Sequence, residues 1–326
     1  MTGSLWGVAY AKTTKSIYTS AVLKGHIPLG PSGLDAIYLV DPFSDTANAT
    51  PWLELTDDLN IAVSSVTSDP QYLDNAARGL NEFVQNDAVA FQDVGKVGIG
   101  DIELSEDEET LYVVNLYDKT LYAISTITKE LLGSYPIPDP GCVQGEARPW
   151  ALAERNGIIY VGVTCDGAES GNPNDFTDNS GVENLHATVY QLEEDAFVEV
   201  LDFPLDYPRE EPFTYSDGCN QIDRWKPWLS VMPATCADGN IGYPTPLLTD
   251  IEFADNGDMV LGFTDRTGFQ FGFANYGPEG TDIRSGYSGG DILKACYTGT
   301  DWQIESVASG CASEGLAIHT LSLIHI

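Results

Sequence analysis

The sequence predicts an all-β fold, a β-propeller of four-stranded blades, and three observations predict it. One unit of short apolar alternations and polar turns, clearest in GDIELSEDEETLYVVNLYDKTLYAIS from Gly100 to Ser125, recurs four times. Its strands are rich in β-branched and aromatic residues with alternating polarity. Long insertions fall at fixed places between those strands. A unit that cannot bury its own faces must stack on copies of itself, and stacked four-stranded sheets form a propeller.

The first two strands of each unit read SLWGVAYAKTTKSIYTSAVL, GDIELSEDEETLYVVNL, PWALAERNGIIYVGVTC and TDIEFADNGDMVLGF, each as strand, polar turn, strand. Third strands follow as DAIYLVD at Asp35, TLYAIS at Thr120, ATVYQL at Ala187 and GDILKAC at Gly290. Fourth strands close the units as PWLEL from Pro51, ELLGSYPI from Glu130, FVEVLDF from Phe197 and WQIESV from Trp302. Trp6, Asp101, Trp150 and Asp250 align where the first strand opens, and Tyr18, Tyr112 and Tyr160 recur in the second. Propellers usually close with more than four blades, so the expectation is an incomplete propeller, one domain over residues 1–320 whose closing blades are missing. The final LSLIHI, Leu321 to Ile326, is the translation of CTG TCT CTT ATA CAC ATC, a sequencing-library adaptor, and is read as an artefact. The natural chain is expected to continue past His319, and an open ring is expected to expose sheet edges.

Insertions span Lys24 to Leu34, Thr56 to Val97, Asp166 to His186, Pro204 to Leu248 and Asp265 to Gly289. Strands in a blade alternate in direction, so second-to-third and blade-to-blade connections emerge on one face. All five insertions belong to that face, and the other keeps tight turns such as SEDEE and ADNGD. A ligand is therefore expected on the elaborated face, where long loops stand on a rigid scaffold. LDNAARGLNEFVQNDAVAF, in the second insertion, is expected to add a short helix.

Composition bounds the partners. The chain is 43% hydrophobic and 20% charged, enough to fold as a globule, and 49 Asp and Glu against 15 Lys and Arg give a net charge of -34. That charge repels phosphate backbones and anionic lipid, which excludes nucleic acid and membrane surface. Two readings of the acidity compete, a solvated surface suited to salty surroundings and a cation-binding role. No run of about 18 apolar residues suggests a membrane span. Six cysteines without a CxxC pair or Cys/His cluster fit disulfides better than zinc, and so an oxidising compartment.

WGVAYAKTTKSIYTSAVLKGHIPLGPSGLDAIYLVD, VGKVGIGDIELSEDEETLYVVNLYDKTLYAIS, RPWALAERNGIIYVGV, FPLDYPR and PLLTDIEFADNGDMVLGFTDRTG resemble the N-terminal region of large bacterial secreted or cell-surface proteins that carry SdrD-type B domains or similar immunoglobulin-like modules downstream. The resemblance runs over most of Leu5 to Val307. It implies export, surface display and a missing C-terminal part, and it supplies no catalytic residues.

Candidate chemistry is sparse. GYSGG, Gly286 to Gly290, matches the nucleophile-elbow pattern at Ser288, but it precedes a strand rather than a helix, and only His26, His186 and His319 could serve as its base. Asp101 and Asp250, with Trp6 and Trp150, are expected to line the mouth of the central channel. Paired carboxylates there would suit calcium, and Glu103 and Glu252, two residues along, share their orientation. The plainer reading is that such an Asp accepts backbone hydrogen bonds. The loop DGAESGNPNDFTDNSGVENLH gathers Asp166, Asp175, Asp178 and Glu183; calcium would suit these oxygens too, while a polar surface loop explains them without an ion. No cofactor is demanded. Trp225 and Trp228 are candidates for contact with an extracellular protein or carbohydrate, or for a small loop core.

The face assignment also constrains the cysteines. Cys142 precedes a first strand and Cys165 ends a second, so both reach the elaborated face and can join. Cys219 and Cys236 share one insertion and are expected to close it. Cys296 and Cys311 are expected at opposite faces, about six residues at ~3.3 Å apart, too far for a bridge of about 4.4 to 6.8 Å between Cα atoms. The resulting expectation is a recognition or structural head of an exported surface protein, with a channel-cation hydrolase or lactonase as the alternative.

Overall fold

A computed structural model describes residues 2–43, 48–65, 70–209, 223–236, 239–280 and 282–305. Four four-stranded antiparallel sheets form a four-blade propeller. The first blade holds β1 (Leu5–Ala11), β2 (Ser16–Ala21), β3 (Ala36–Val40) and β4 (Ala49–Glu54). Its connection to the second carries three short helices, α1 (Leu55–Leu59), α2 (Pro70–Leu73) and α3 (Ala88–Asp93). The second holds β5 (Ile99–Leu104), β6 (Thr110–Asn115), β7 (Thr120–Ser125) and β8 (Leu131–Pro136). The third holds β9 (Ala147–Arg155), β10 (Ile158–Cys165), β11 (His186–Glu193) and β12 (Ala196–Pro204). In the fourth, β13 (Pro246–Phe253) and β14 (Met259–Asp265) are separated from the outer strands by α4 (Arg266–Phe271) and the hairpin of β15 (Asn275–Tyr276) and β16 (Ile283–Arg284). β17 (Asp291–Tyr297) and β18 (Trp302–Ile304) complete it. The expected strands and the two faces are thus in place, and every long insertion emerges with the second-to-third or blade-to-blade connections.

The four inner strands share one irregularity. Pairing with the second strand slips by a residue between Leu5 and Val8, between Ile99 and Ile102, opposite Val161 to Val163 in β9, and between Leu248 and Asp250. A bulge leaves backbone groups out of the ladder and bends the strand. Anchoring the register on Tyr18 opposite Ala9, Tyr112 opposite Glu103 and Tyr160 opposite Ala153 corrects the sequence alignment by one position. Trp6 and Trp150 correspond to Gly100 and Thr249, whereas Asp101 and Asp250 correspond to Gly7 and Ala151.

At each bulge a polar side chain joins one blade to the next. Ser20 Oγ accepts from Gly7 N (3.0 Å) and donates to Gly100 O (3.2 Å). Asp101 Oδ2 accepts from Leu152 N (3.3 Å), and Thr164 Oγ1 accepts from Leu248 N (2.9 Å). The strands come so close that a Cβ on Gly100 would lie 3.2 Å from Trp150 O. Inner strands pack in the order β1, β5, β9, β13. Blades 4 and 1 meet instead through α4: Gly25 N donates to Phe269 O, and the Phe269 ring lies 5.2 Å from Trp6.

The insertions form a layer with a core of its own, including Phe91, Leu229, Ile241, Tyr243 and Phe271. Buried cations tie one insertion to another. Arg78, paired with Asp87 at the start of α3, donates to Lys24 O. Lys226 reaches Asp178 O and Asn179 Oδ1, and Arg266 reaches Phe91 O and Val94 O at the end of α3.

Cys142 and Cys165 are joined, as the face assignment requires. Cys236 and Cys296 are also oxidised. The expected Cys219–Cys236 bridge and the expected separation of Cys296 from Cys311 involve Cys219 and Cys311, which lie outside the described residues, as does the tail with His319.

Two outcomes follow for urea unfolding. Thr164→Val keeps the side chain's shape but leaves Leu248 N–H buried without an acceptor, and should cost about 1–3 kcal/mol. Replacing Cys142 and Cys165 together by Ser opens a loop of 23 residues' separation and should cost roughly 3 kcal/mol. Unchanged midpoints would contradict either assignment.

Candidate functional site

Toward the elaborated face the axis is filled rather than open. Trp150 is fully buried, its ring edge-on to Trp6 at 5.9 Å and tilted to Phe269 at 6.3 Å. The Lys24 ammonium sits 4.5 Å from the Phe269 centroid and 5.2 Å from that of Trp6, a cation–π cap. Trp6 and Trp150 are therefore a plug, not the rim of a channel mouth. The bulges make this possible, because the extra residue aims both indoles at the axis.

Beyond the plug the carboxylates begin. Asp101 holds Leu152 N, and burial, then the neighbouring Asp250, raises its carboxyl well above the usual range. Asp250 and Glu252 stand on β13 with part of each side chain open to solvent, and both are raised, each chiefly by the partial desolvation their neighbours impose and Glu252 also by Asp250. Glu103 is pushed up to about 7, by burial first and then by Glu252, Glu154 and Asp250, against one opposing backbone hydrogen bond from Leu104 N. A cavity of about 330 Å³ lies here, lined by Glu103, Glu154, Glu252 and Asp255 with Arg155 and Phe253. It opens beside the tight turns.

Glu154 and Asp255 were missed because they lie in the turns ERNG and ADNGD, where acidic residues are commonplace. Their signal was position, at the end of the same inner strands that carry the other acids. Chemically the cavity offers carboxyl oxygens and, at Glu103, a carboxyl that can take up or release a proton near neutral pH. Among the described residues no group of three or more His, Cys, Asp or Glu is arranged to hold a metal ion. Asp101 matches the plainer reading, an acceptor of backbone N–H.

The Asp166 loop does not converge. Asp166 is buried and takes Arg148 Nε at 2.6 Å, Glu146 N and Ala168 N. Asp175 turns to Thr177 and Asp178 to Asn172 and Ser180, hydrogen bonds that lower both carboxyls. Glu183 lies apart, with His186 and Asp202, in a cavity of about 210 Å³ beside the Cys142–Cys165 bridge. Trp225 and Trp228 are core, not contact surface: both are buried, Trp225 under Arg209 at 3.6 Å and Trp228 donating to Pro246 O. Ser288 stands between β16 and β17 with no following helix, so the elbow geometry is lacking.

Glu103 gives a measurable pH dependence. Its folded-state pKa lies above the unfolded value of about 4.3, so the folded state binds the proton more tightly. Stability is then highest below that value and falls as pH rises through about 7. Glu103→Gln should raise stability by on the order of 2 kcal/mol at pH 8 and have little effect at pH 4. A variant no more stable at pH 8 than the parent would refute the shift.

No protein-family model matches the chain. Colossin-D of Dictyostelium discoideum is 26% identical over 318 residues, covering 93% of this chain and 28% of that protein. Colossin-A of the same organism is 23% identical over 316 residues, covering 90% and 2%. The chain thus spans less than a third of either relative. Among solved structures, a xylan β-1,4-xylosidase from Bacillus halodurans is similar at 12% identity and a TM-score of 0.41, covering 94% of this chain and 44% of that one. A periplasmic gluconolactonase from Pseudomonas aeruginosa is similar at 11% and 0.32, covering 90% and 57%. Likeness at that level carries no site and no activity to this chain.

Proposed function

We propose that this propeller is a non-catalytic recognition or structural head of an exported, surface-displayed protein, binding an extracellular protein or carbohydrate through its loop-bearing face. One observation carries the reading. On that face Phe83 and Phe273 stand fully in solvent, on insertions that the Tyr276 N to Gln85 O and Asn86 Nδ2 to Pro278 O hydrogen bonds hold together. Large aromatics presented on braced loops are contact residues by chemistry. The Cys142–Cys165 bridge, and the oxidised state of Cys236 and Cys296, support an oxidising compartment. The sequence resemblance to N-terminal regions of large surface proteins with SdrD-type B modules fits the same reading.

A second reading, a hydrolase or lactonase with a cation at the axis, is favoured by one observation, the cavity whose Glu103 is held near neutrality. A glycan array and a panel of extracellular proteins separate the two. The first reading expects binding that Phe83→Ser with Phe273→Ser weakens at least tenfold while Glu103→Gln leaves it unchanged. A tightly held divalent ion, with turnover of a lactone or glycoside lost in Asp101→Asn, would sink it.

A further inference from the structure

We propose that the space between the fourth and first blades receives a further four-stranded sheet of the same unit, supplied by polypeptide outside the described residues, and that Asp250 is the acceptor for its inner strand. The repeat itself provides the comparison. In every blade the inner strand sends alternate side chains toward the preceding and the following sheet. Ile102 and Leu104 point to the preceding sheet from β5 and are 0% and 5% exposed; Leu152 and Ile251 at matching places are 2% and 1%. Their counterparts on β1 are Val8 and Tyr10, which are 60% and 46% exposed. Farther out on that face Tyr38 is covered by its own insertion, so the open patch is the inner part.

Blade 4 shows the complementary half. Positions that point to the following sheet are filled by Gly7 and Ala9, by Asp101 and Glu103, and by Ala151 and Ala153, all against a neighbour. On β13 they are Asp250 and Glu252, both exposed, and Ile292, which shares that face through Gly262, is 52% exposed. Asp250 stands at the second bulge position, where Asp101 takes Leu152 N of the next blade. A bulged inner strand beside blade 4 would present the same freed N–H to Asp250, and its apolar alternation would cover Val8, Tyr10 and Ile292. The surfaces awaiting it are sheet faces, not the edges that the sequence suggested. A second copy of the chain is a poor occupant at a net charge of -34, whereas the relatives that match carry most of their length outside the matched region.

The test compares the 326-residue chain with a longer polypeptide that continues through the next unit of the gene. Amide exchange in β1 and β17 should slow at least tenfold in the longer form. Val8→Glu should leave the unfolding midpoint of the shorter chain almost unchanged and lower that of the longer one, and Asp250→Ala should lower the midpoint of the longer chain relative to that of the shorter. Equal exchange and equal tolerance in both forms would overturn the proposal. So would a coding sequence that ends without another such unit, or a dimer of the 326-residue chain, by sedimentation, in which β1 is protected.

Discussion

The molecule depends on how four inner strands are brought to one axis without stranding their backbone polar groups. Sheets packed face to face stay about 10 Å apart, but at the axis the strands must come closer, and each does so through a bulge. The freed N–H groups are then taken by side chains, Ser20 between the first two blades, Asp101 between the second and third, and Thr164 between the third and fourth. Three different residue types solve one geometric problem. Gly100 belongs to the same solution, since the backbone of Trp150 occupies the space its Cβ would need. The plug follows as well: without the extra residue, Trp6 and Trp150 could not both face the axis.

The loop layer obeys a different economy of charge. Only 15 of 326 residues are Lys or Arg, yet Arg78, Arg148, Arg209, Arg266 and Lys226 are buried in or under the insertions. Irregular loops carry carbonyls that no ladder satisfies, and a guanidinium with five donors can satisfy several at once. Arg266 bonding the last carbonyls of α3, and Arg78 bridging Tyr72 O, Lys24 O and Asp87, show the device. Among the described residues the interior holds as many carboxylates, Asp87, Asp166, Asp258, Asp265 and Asp291, so burial of those cations leaves the net surface charge as the composition states it. Arg148 and Arg266 flank Trp228, with guanidinium carbons 5.3 and 4.4 Å from its ring, which is why a tryptophan that looked like a ligand platform is interior.

Period-two alternation and turn residues made the four units, their strand order, the two faces and the Cys142–Cys165 contact legible, because each depends only on strand direction and length. The axis was not legible. A bulge adds one residue without breaking the alternation on either side, so aligning Trp6 with Asp101 was off by one, and that slip turned a plug and a row of junction acceptors into a single ring. Trp225 and Trp228 were undecidable for another reason: in an insertion without periodicity, nothing local says which side of an aromatic meets solvent. Glu154 and Asp255 escaped because turn acids have a sufficient explanation of their own.

Asp101 and Asp250 illustrate how one repeated position acquires different chemistry. Both follow the same bulge, yet Asp101 is enclosed by the third blade and holds its backbone, while Asp250 faces no sheet. Their proximity raises the cost of ionising Asp101, and Glu103 inherits the same field from Glu252 and Glu154. The acidity of the cavity thus arises from the repeat, which places acceptors where inner strands need them and stacks the following acids on the same face. Leu152 N and Leu104 N each donate to one of these carboxyls and oppose the rise that burial and the neighbouring acids impose, and a cation would have to win those oxygens from the backbone before it could bind there.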